Sequence, residues 1–263
     1  MEGIIKIAAS SCCWWHDSLD NVLRKAHECG FTDIELLTFP PEIFSLHGNL
    51  WEFSSYDLRH QLEDYDLKLA ALHLGAIMTS SEDRRRKLTD YAKRAIEVAS
   101  EIGCKIIVEG GPDRQSEPFK PFLKSLGELV PVLEGTEIKI GLENHYRNWI
   151  QFIQDYEHIF QHINSPGIGI TIDTGHFTSA GVDPAEVAMR FKDKIYHVHV
   201  KDHIGTQSVA LGTGKTNNFG MVKVLKESGY SGYLSQELEI EDRGNADRIA
   251  CEGLKYMQEL CAI

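Results

Sequence analysis

Four stretches decide the fold: IKIGLENH (residues 138–145), GIGITIDTGH (167–176), IYHVHVKD (195–202) and YLSQELE (233–239). Each opens as a short apolar or β-branched run, the composition of a strand buried on both faces. Each then reaches a residue able to hold a metal or move a proton: Glu143, Asp173, His199 and Glu237. Working outward, runs of the same kind stand at 4–9, 33–37, 68–73 and 105–109. With 138–143, 169–173, 195–200 and 233–237 they make eight. The longer segments between them are amphipathic. In the clearest, 82–102, Leu88, Tyr91, Ala92, Ala95, Ile96 and Ala99 follow three-to-four spacing, and Gly103 stands as a C-cap. Ser18-Leu19-Asp20 reads as the start of the first helix, and Asp183-Pro184 as the N-cap and first turn of the sixth. Gly30, Gly103 and Gly229 each fall between a helical stretch and a strand. Strict alternation implies parallel strands joined by crossover helices. Eight such units in 263 residues predict one α/β domain over 1–263, a (β/α)8 TIM barrel. A doubly wound sheet, the alternative, usually has fewer strands.

The composition is that of a soluble globular protein, 42% hydrophobic and 25% charged. A net charge of −12 repels polyanions. The one short basic run, Arg84-Arg85-Arg86-Lys87, reads as a solvated helix face rather than a nucleic-acid footprint. The six cysteines, at 12, 13, 29, 104, 251 and 261, show no CxxC or zinc-finger spacing and read as reduced thiols. The first residues are too polar for a signal peptide, and no apolar run approaches the ~20 residues of a membrane span. The expectation is a cytoplasmic protein without membrane or nucleic-acid partners, with a homo-oligomer left open.

A single acid after an apolar strand is often only a helix N-cap. Four consecutive strands ending in Glu, Asp, His and Glu form a different pattern. Adjacent strands lie about 4.8 Å apart, so Glu143, Asp173, His199 and Glu237 can converge on one point. That point lies at the C-terminal face, where barrel enzymes build their sites. Three buried carboxylates repel one another, and a divalent cation resolves the conflict. Three oxygens and one imidazole suit one Mn²⁺, Co²⁺, Mg²⁺ or Zn²⁺ ion. His197 and His199 face the same side of their strand. His199 is nearer the rim and is taken as the ligand, with His197 either supporting the site from behind the ligands or filling the barrel interior.

The motifs GLENH, TIDTGHF, HVHVKD and ELE resemble those of the xylose isomerase-like barrels, in particular the sugar phosphate isomerase/epimerase group. That group includes ketose 3-epimerases, inosose isomerases and dehydratases, hydroxypyruvate isomerase and, more distantly, endonuclease IV. The resemblance spans nearly the whole chain and implies the same ligands, Glu143, Asp173, His199 and Glu237. It implies that His176 touches substrate oxygens, and that Glu35 matches a strand-two Glu of varied role. TIDTGHFTSAG also resembles endonuclease IV, which needs three zinc ions and further ligands. Its strand-four histidine reads here as Glu109, and its later Asp-x-His pair is missing. Together with the negative charge this favours one metal and a small substrate.

Six rim residues are expected to face that substrate: His176, His73 at the end of strand three, Lys201 beside the metal histidine, Trp15 after strand one, Glu109 and His145. Gly212-Thr213-Gly214-Lys215-Thr216 imitates the end of a Walker A motif. The first glycine of the full pattern is replaced by Val209, so a tight turn is the reading. The expected activity is a metal-dependent isomerase or epimerase of a small keto-sugar or polyol ketone, phosphorylated or not, acting through an enediolate with Glu143 and Glu237 as the proton-transfer pair. The alternatives are a dehydratase, an endonuclease IV-like phosphodiester hydrolase and a non-catalytic sugar-binding barrel.

Overall fold

Strands β1 (Lys6–Ser10), β2 (Asp33–Leu37), β3 (Lys68–Ala76), β4 (Ile106–Gly110), β5 (Lys139–Glu143), β6 (Ile168–Asp173) and β7 (Ile195–Val200) follow one another around a closed barrel. β8 (Asp202–Ile204) and β9 (Gln207–Val209) form a separate antiparallel hairpin, and β10 (Tyr233–Gln236) closes the barrel between β7 and β1. All eight barrel pairings are parallel. The computed structural model describes residues 4–43, 46–239 and 244–263.

The eight expected strands match these eight, with edges moved by a few residues. β3 runs on to Ala76, and β10 stops at Gln236, which leaves Glu237 as the first residue beyond it. The hairpin was not foreseen. Its strands are three residues each, too short to show alternation.

The helix punctuation follows the sequence. Ser18 Oγ accepts from Asn21 N at the start of Leu19–Cys29, and Asp183 Oδ1 accepts from Ala185 N before Pro184–Phe191. Gly30 and Gly103 end their helices at φ of 95° and 87°, left-handed values that suit glycine. Strand side chains such as Ile140, Ile170, Ile172 and Val198 are fully buried, each contributing about 1.5–3 kcal/mol of apolar burial. Among the described residues no helix is long and apolar enough to cross a membrane.

Two expectations need correction. The basic run is not wholly solvated. Arg85 is only 1% exposed and bonds to Glu82, Glu128, Ser125 and Thr89, because helix Glu82–Ile102 packs this position against helix Phe119–Leu133. Nor are all the thiols free. Cys29 and Cys251 form a disulfide with Cα atoms 4.8 Å apart. Barrel closure packs the first helix on the last one, Ala246–Ala262, which brings together two residues 222 positions apart. Cys12, Cys13, Cys104 and Cys261 are free.

Candidate metal centre

Glu143 and Asp173 are the last residues of β5 and β6, His199 is the penultimate residue of β7, and Glu237 follows β10 directly. Register sets Asp173 and Ser235 on either side of His199, so the four side chains share one end of the barrel. His199 Nδ1 lies 2.6 Å from Glu143 Oε1, 2.8 Å from Glu237 Oε2 and 3.9 Å from Asp173 Oδ2. One potential ligand atom from each of the four falls within 4.8 Å of the others, and all four residues are buried.

One ring nitrogen can satisfy one carboxylate at a time, and here it faces three. Burial, reinforced by Glu143 and Glu237 against the pull of Lys201, raises the Asp173 carboxyl to about 7. Glu237 is held down at about 2: burial opposes this, but His199 and Lys201 outweigh it. His199 is raised well above its ordinary value, since Glu237, Glu35 and Glu143 overcome the effect of burial. Asp173 Oδ2 and Glu237 Oε2 make no aligned hydrogen bond, although Lys201 Nζ approaches them at 3.1 and 3.3 Å. Crowded carboxylates, orphaned oxygens and one inward nitrogen are a donor set that fits a divalent cation.

The other nitrogen of His199 is committed. Its Nε2 lies 2.9 Å from Glu35 Oε1, and the second oxygen of Glu35 lies 2.7 Å from His197 Nε2. With Nε2–H donating to Glu35, the Nδ1 lone pair is turned toward the cluster. Burial opposes ionisation of Glu35, but His199 and His197 hold its carboxyl well below the usual range. Replacing Glu35 by Gln removes the carboxylate charge and one of its two acceptor oxygens without changing shape. The expected outcome is a 10- to 100-fold loss of divalent-metal affinity, read by titration with Mn²⁺ or Zn²⁺. Unchanged affinity would show that the ring needs no such support.

Four of the six expected substrate contacts surround the cluster. His73 Nε2 stands 3.2 Å from Glu143 Oε2. Lys201 Nζ reaches Glu239 Oε1 at 3.0 Å and His176 Nε2 at 3.4 Å. The His176 ring lies against His145, centroids 3.8 Å apart. Burial, Lys201 and His145 keep His176 well below its ordinary pKa, so the ring is neutral. These four, with Trp15, line a cleft of about 990 Å³ over the cluster. Glu109 is buried and does not line it; burial and Glu143 raise its carboxyl well above the ordinary range.

Several positioning residues escaped the sequence reading. The Asn144 amide clasps the backbone of Asp173, donating to its carbonyl at 2.9 Å and accepting from its N–H at 2.8 Å. Its place beside Glu143 in GLENH was the available signal. Asp173 Oδ1 also accepts from His176 N at 2.7 Å, capping the short helix Thr174–Ser179. The glycine-rich loop closes on Asp202, whose carboxylate accepts from Gly212 N (3.0 Å), Gly214 N (2.8 Å) and Thr216 N (3.1 Å). This bears out a turn. The backbone is packed as tightly at Gly175, where a Cβ would meet His203 Nε2 at 2.5 Å and Lys201 Cβ at 2.7 Å. Gly175→Ala is therefore expected to cost about 1–3 kcal/mol, seen as a lowered Tm. A Tm equal to wild type would show that His203 and Lys201 can yield.

Comparison with known proteins agrees with this fold. An inosose dehydratase from Clostridium tetani is 24% identical over 98% of both chains. The crystal structure of a D-allulose 3-epimerase from a Methylomonas species in complex with D-allulose aligns with a TM-score of 0.78 at 16% identity, covering 98% of this chain and 97% of that one. The IOLI protein with a bound zinc atom aligns at 0.79 and 20% identity over 98% of each. A family model matches residues 23–260, a span that contains every residue of the four-donor cluster: the chain belongs to the xylose isomerase-like TIM barrel family.

Proposed function

We propose that this chain is a divalent-metal-dependent isomerase or epimerase that moves a proton beside the carbonyl of a keto-sugar or related polyol ketone. The observation that carries the reading is the pair Glu143 and Glu237. They come from β5 and from the end of β10, separated around the barrel by β6 and β7, and both close on His199 Nδ1. Glu143, Asp173, His199 and Glu237 are the residues that would hold one Mn²⁺, Co²⁺, Mg²⁺ or Zn²⁺ ion. When bound, such an ion supplies Lewis-acid polarisation of the carbonyl and a neighbouring hydroxyl, which acidifies the C–H between them.

Glu143 and Glu237 are the groups that handle the proton. One removes it from the carbon, leaving an enediolate, and the other returns a proton from the opposite side, which inverts the centre. One glutamate doing both yields the aldose–ketose isomer instead. Neutral His176 offers a ring nitrogen to a substrate oxygen, and the Lys201 ammonium balances negative charge developing on oxygen. His73, with Nε2 3.2 Å from Glu143 Oε2, orients that carboxylate.

The inosose dehydratase relative supports a second reading, in which the same enediolate expels a β-hydroxyl as water. Product analysis separates the two, since dehydration changes the mass and epimerisation does not. The four-donor cluster offers ligands for one ion and the net charge of −12 repels a polyanion, which favours these readings over a three-zinc nuclease. The direct test is NMR of a ketose panel in D₂O with metal-loaded protein. Deuterium should enter at the carbon next to the ketone, and turnover without incorporation would reject the enediolate route.

Metal loading competes with protons. Asp173, at about 7, and His199, raised well above its ordinary value, must both be free of the proton that blocks a ligand atom. Both folded values lie above the ordinary ones, so protons compete at both groups, and lowering the pH through about 7 refills Asp173. Apparent affinity for Mn²⁺ or Zn²⁺ should fall about tenfold or more per pH unit below that point. A flat profile between about pH 5.5 and 8 would place the ion elsewhere.

A further inference from the structure

The last part of the chain supplies one side of the cleft. Glu237, Leu238 and Glu239 follow β10, and Ile249 stands in the last helix, Ala246–Ala262; all four line the cleft. We propose that Cys29 and Cys251 are a redox-controlled staple on this segment. The disulfide holds the last helix against the first and so fixes the Glu237 side of the site, and reduction by a dithiol loosens it. The consequence for metal rests on the reading just given.

The path from the staple to the site is short. Ala250, next to Cys251, accepts through its carbonyl from Gln236 Nε2 at 2.9 Å. Two residues past Cys251, Gly253 lies so close that a Cβ there would stand 2.4 Å from Gln236 Oε1. The residue after Gln236 is Glu237. A shift of the helix at 250–253 therefore reaches a proposed metal ligand through one side chain. The start of the helix is held by Asp247, whose carboxylate accepts from Trp14 Nε1 at 2.8 Å and pairs with Lys25 Nζ at 2.9 Å. Asp17 draws on the same ammonium at 2.8 Å, and ion pairs that face solvent contribute little. The covalent bond is thus a strong tie among weak ones. Ala250, Met257 and Leu260 are wholly buried, so apolar packing keeps the helix on the barrel when the bond opens, and the loosening is local.

The bond is placed for exchange. Both of its cysteines are half-buried, whereas the free thiols of Cys12, Cys13 and Cys104 are buried. A thiolate of the dithiol attacks one sulfur and breaks the S–S bond, and its second thiol resolves the mixed disulfide. Two electrons and two protons pass to Cys29 and Cys251, which end as thiols, and the dithiol ends as a disulfide.

The experiment compares the full chain after glutathione disulfide and after dithiothreitol, each removed by gel filtration, beside Cys29→Ser/Cys251→Ser, which has no bond to break. On denaturation the oxidised protein should show its four free thiols and the reduced protein all six. Hydrogen exchange read by mass spectrometry should quicken about tenfold or more on reduction in 233–239 and 246–257, and stay the same in 139–143 and 168–173. The double variant should exchange like reduced wild type after either reagent. Affinity for Mn²⁺ should fall about threefold or more on reduction of wild type and not change in the variant. Six thiols after oxidation, or equal exchange in the two states, overturns the staple. Faster exchange confined to 246–257, with equal Mn²⁺ affinity, overturns its link to the site. Faster exchange in both segments with no Mn²⁺ bound in either state supports the staple and rejects the metal reading, so the two failures are distinguishable.

Discussion

Glu143→Gln and Glu237→Gln should each fold, keep part of their metal and lose activity by about 10²-fold or more. Glutamine preserves shape and one carbonyl oxygen but cannot accept a proton from carbon. The fold should survive because each change removes one negative charge from a crowded site, where Glu143, Asp173 and Glu237 all approach one imidazole. The two variants need not fail alike. In a two-base epimerase, one of them should still exchange deuterium into a given epimer without completing inversion. If both retain near-wild-type turnover with metal bound, the proton-transfer assignment is wrong even though the metal assignment stands.

Removing a ligand should have the other large effect. Asp173→Ala and His199→Ala should leave little divalent metal on the purified protein, a greater loss than the ~10- to 100-fold expected for a supporting residue such as Glu35. Asp173 also caps the helix Thr174–Ser179, so its alanine variant carries a separate cost of about 0.5–2 kcal/mol. Asp173→Asn keeps an oxygen for the cap while removing the charge, and it should lose metal just as the alanine variant does. Thermal shift gives a second readout. An ion at about 100 times its Kd stabilises by about 2.7 kcal/mol. For a chain of this size that is a Tm rise of roughly 5–10 °C, present in wild type and absent in the variants. Full occupancy in both Asp173→Asn and His199→Ala would sink the assignment.

The barrel was legible because each strand is a short apolar run set off by amphipathic segments, a pattern local to every unit. The four donors were legible for the same reason: a polar residue at the end of a buried strand stands out against its neighbours. What stayed hidden depends on register around the barrel. Glu35 sits in β2, yet it serves His197 and His199 on β7, partners more than 160 positions away. Nothing local to GFTDIELL states that. Asp202 gains its partners only when the loop at 212–216 folds back onto it. The Cys29–Cys251 pair, likewise, depends on the first and last helices meeting.

The placement of Glu237 ties the site to the order in which the barrel is assembled. Glu143, Asp173 and His199 come from three successive strands, which can pair with one another as soon as that part of the chain exists. Glu237 arrives with β10, the strand that joins β7 to β1 and completes the circle. Until then β1 and β7 each present an open edge, the condition under which parallel sheets are slow to form and prone to mispair. A cation gripped by all four residues would bind the closed ring in preference to the open one and so would act as a latch on its last joint. Refolding with a divalent ion present should therefore favour closed monomers over misassembled chains.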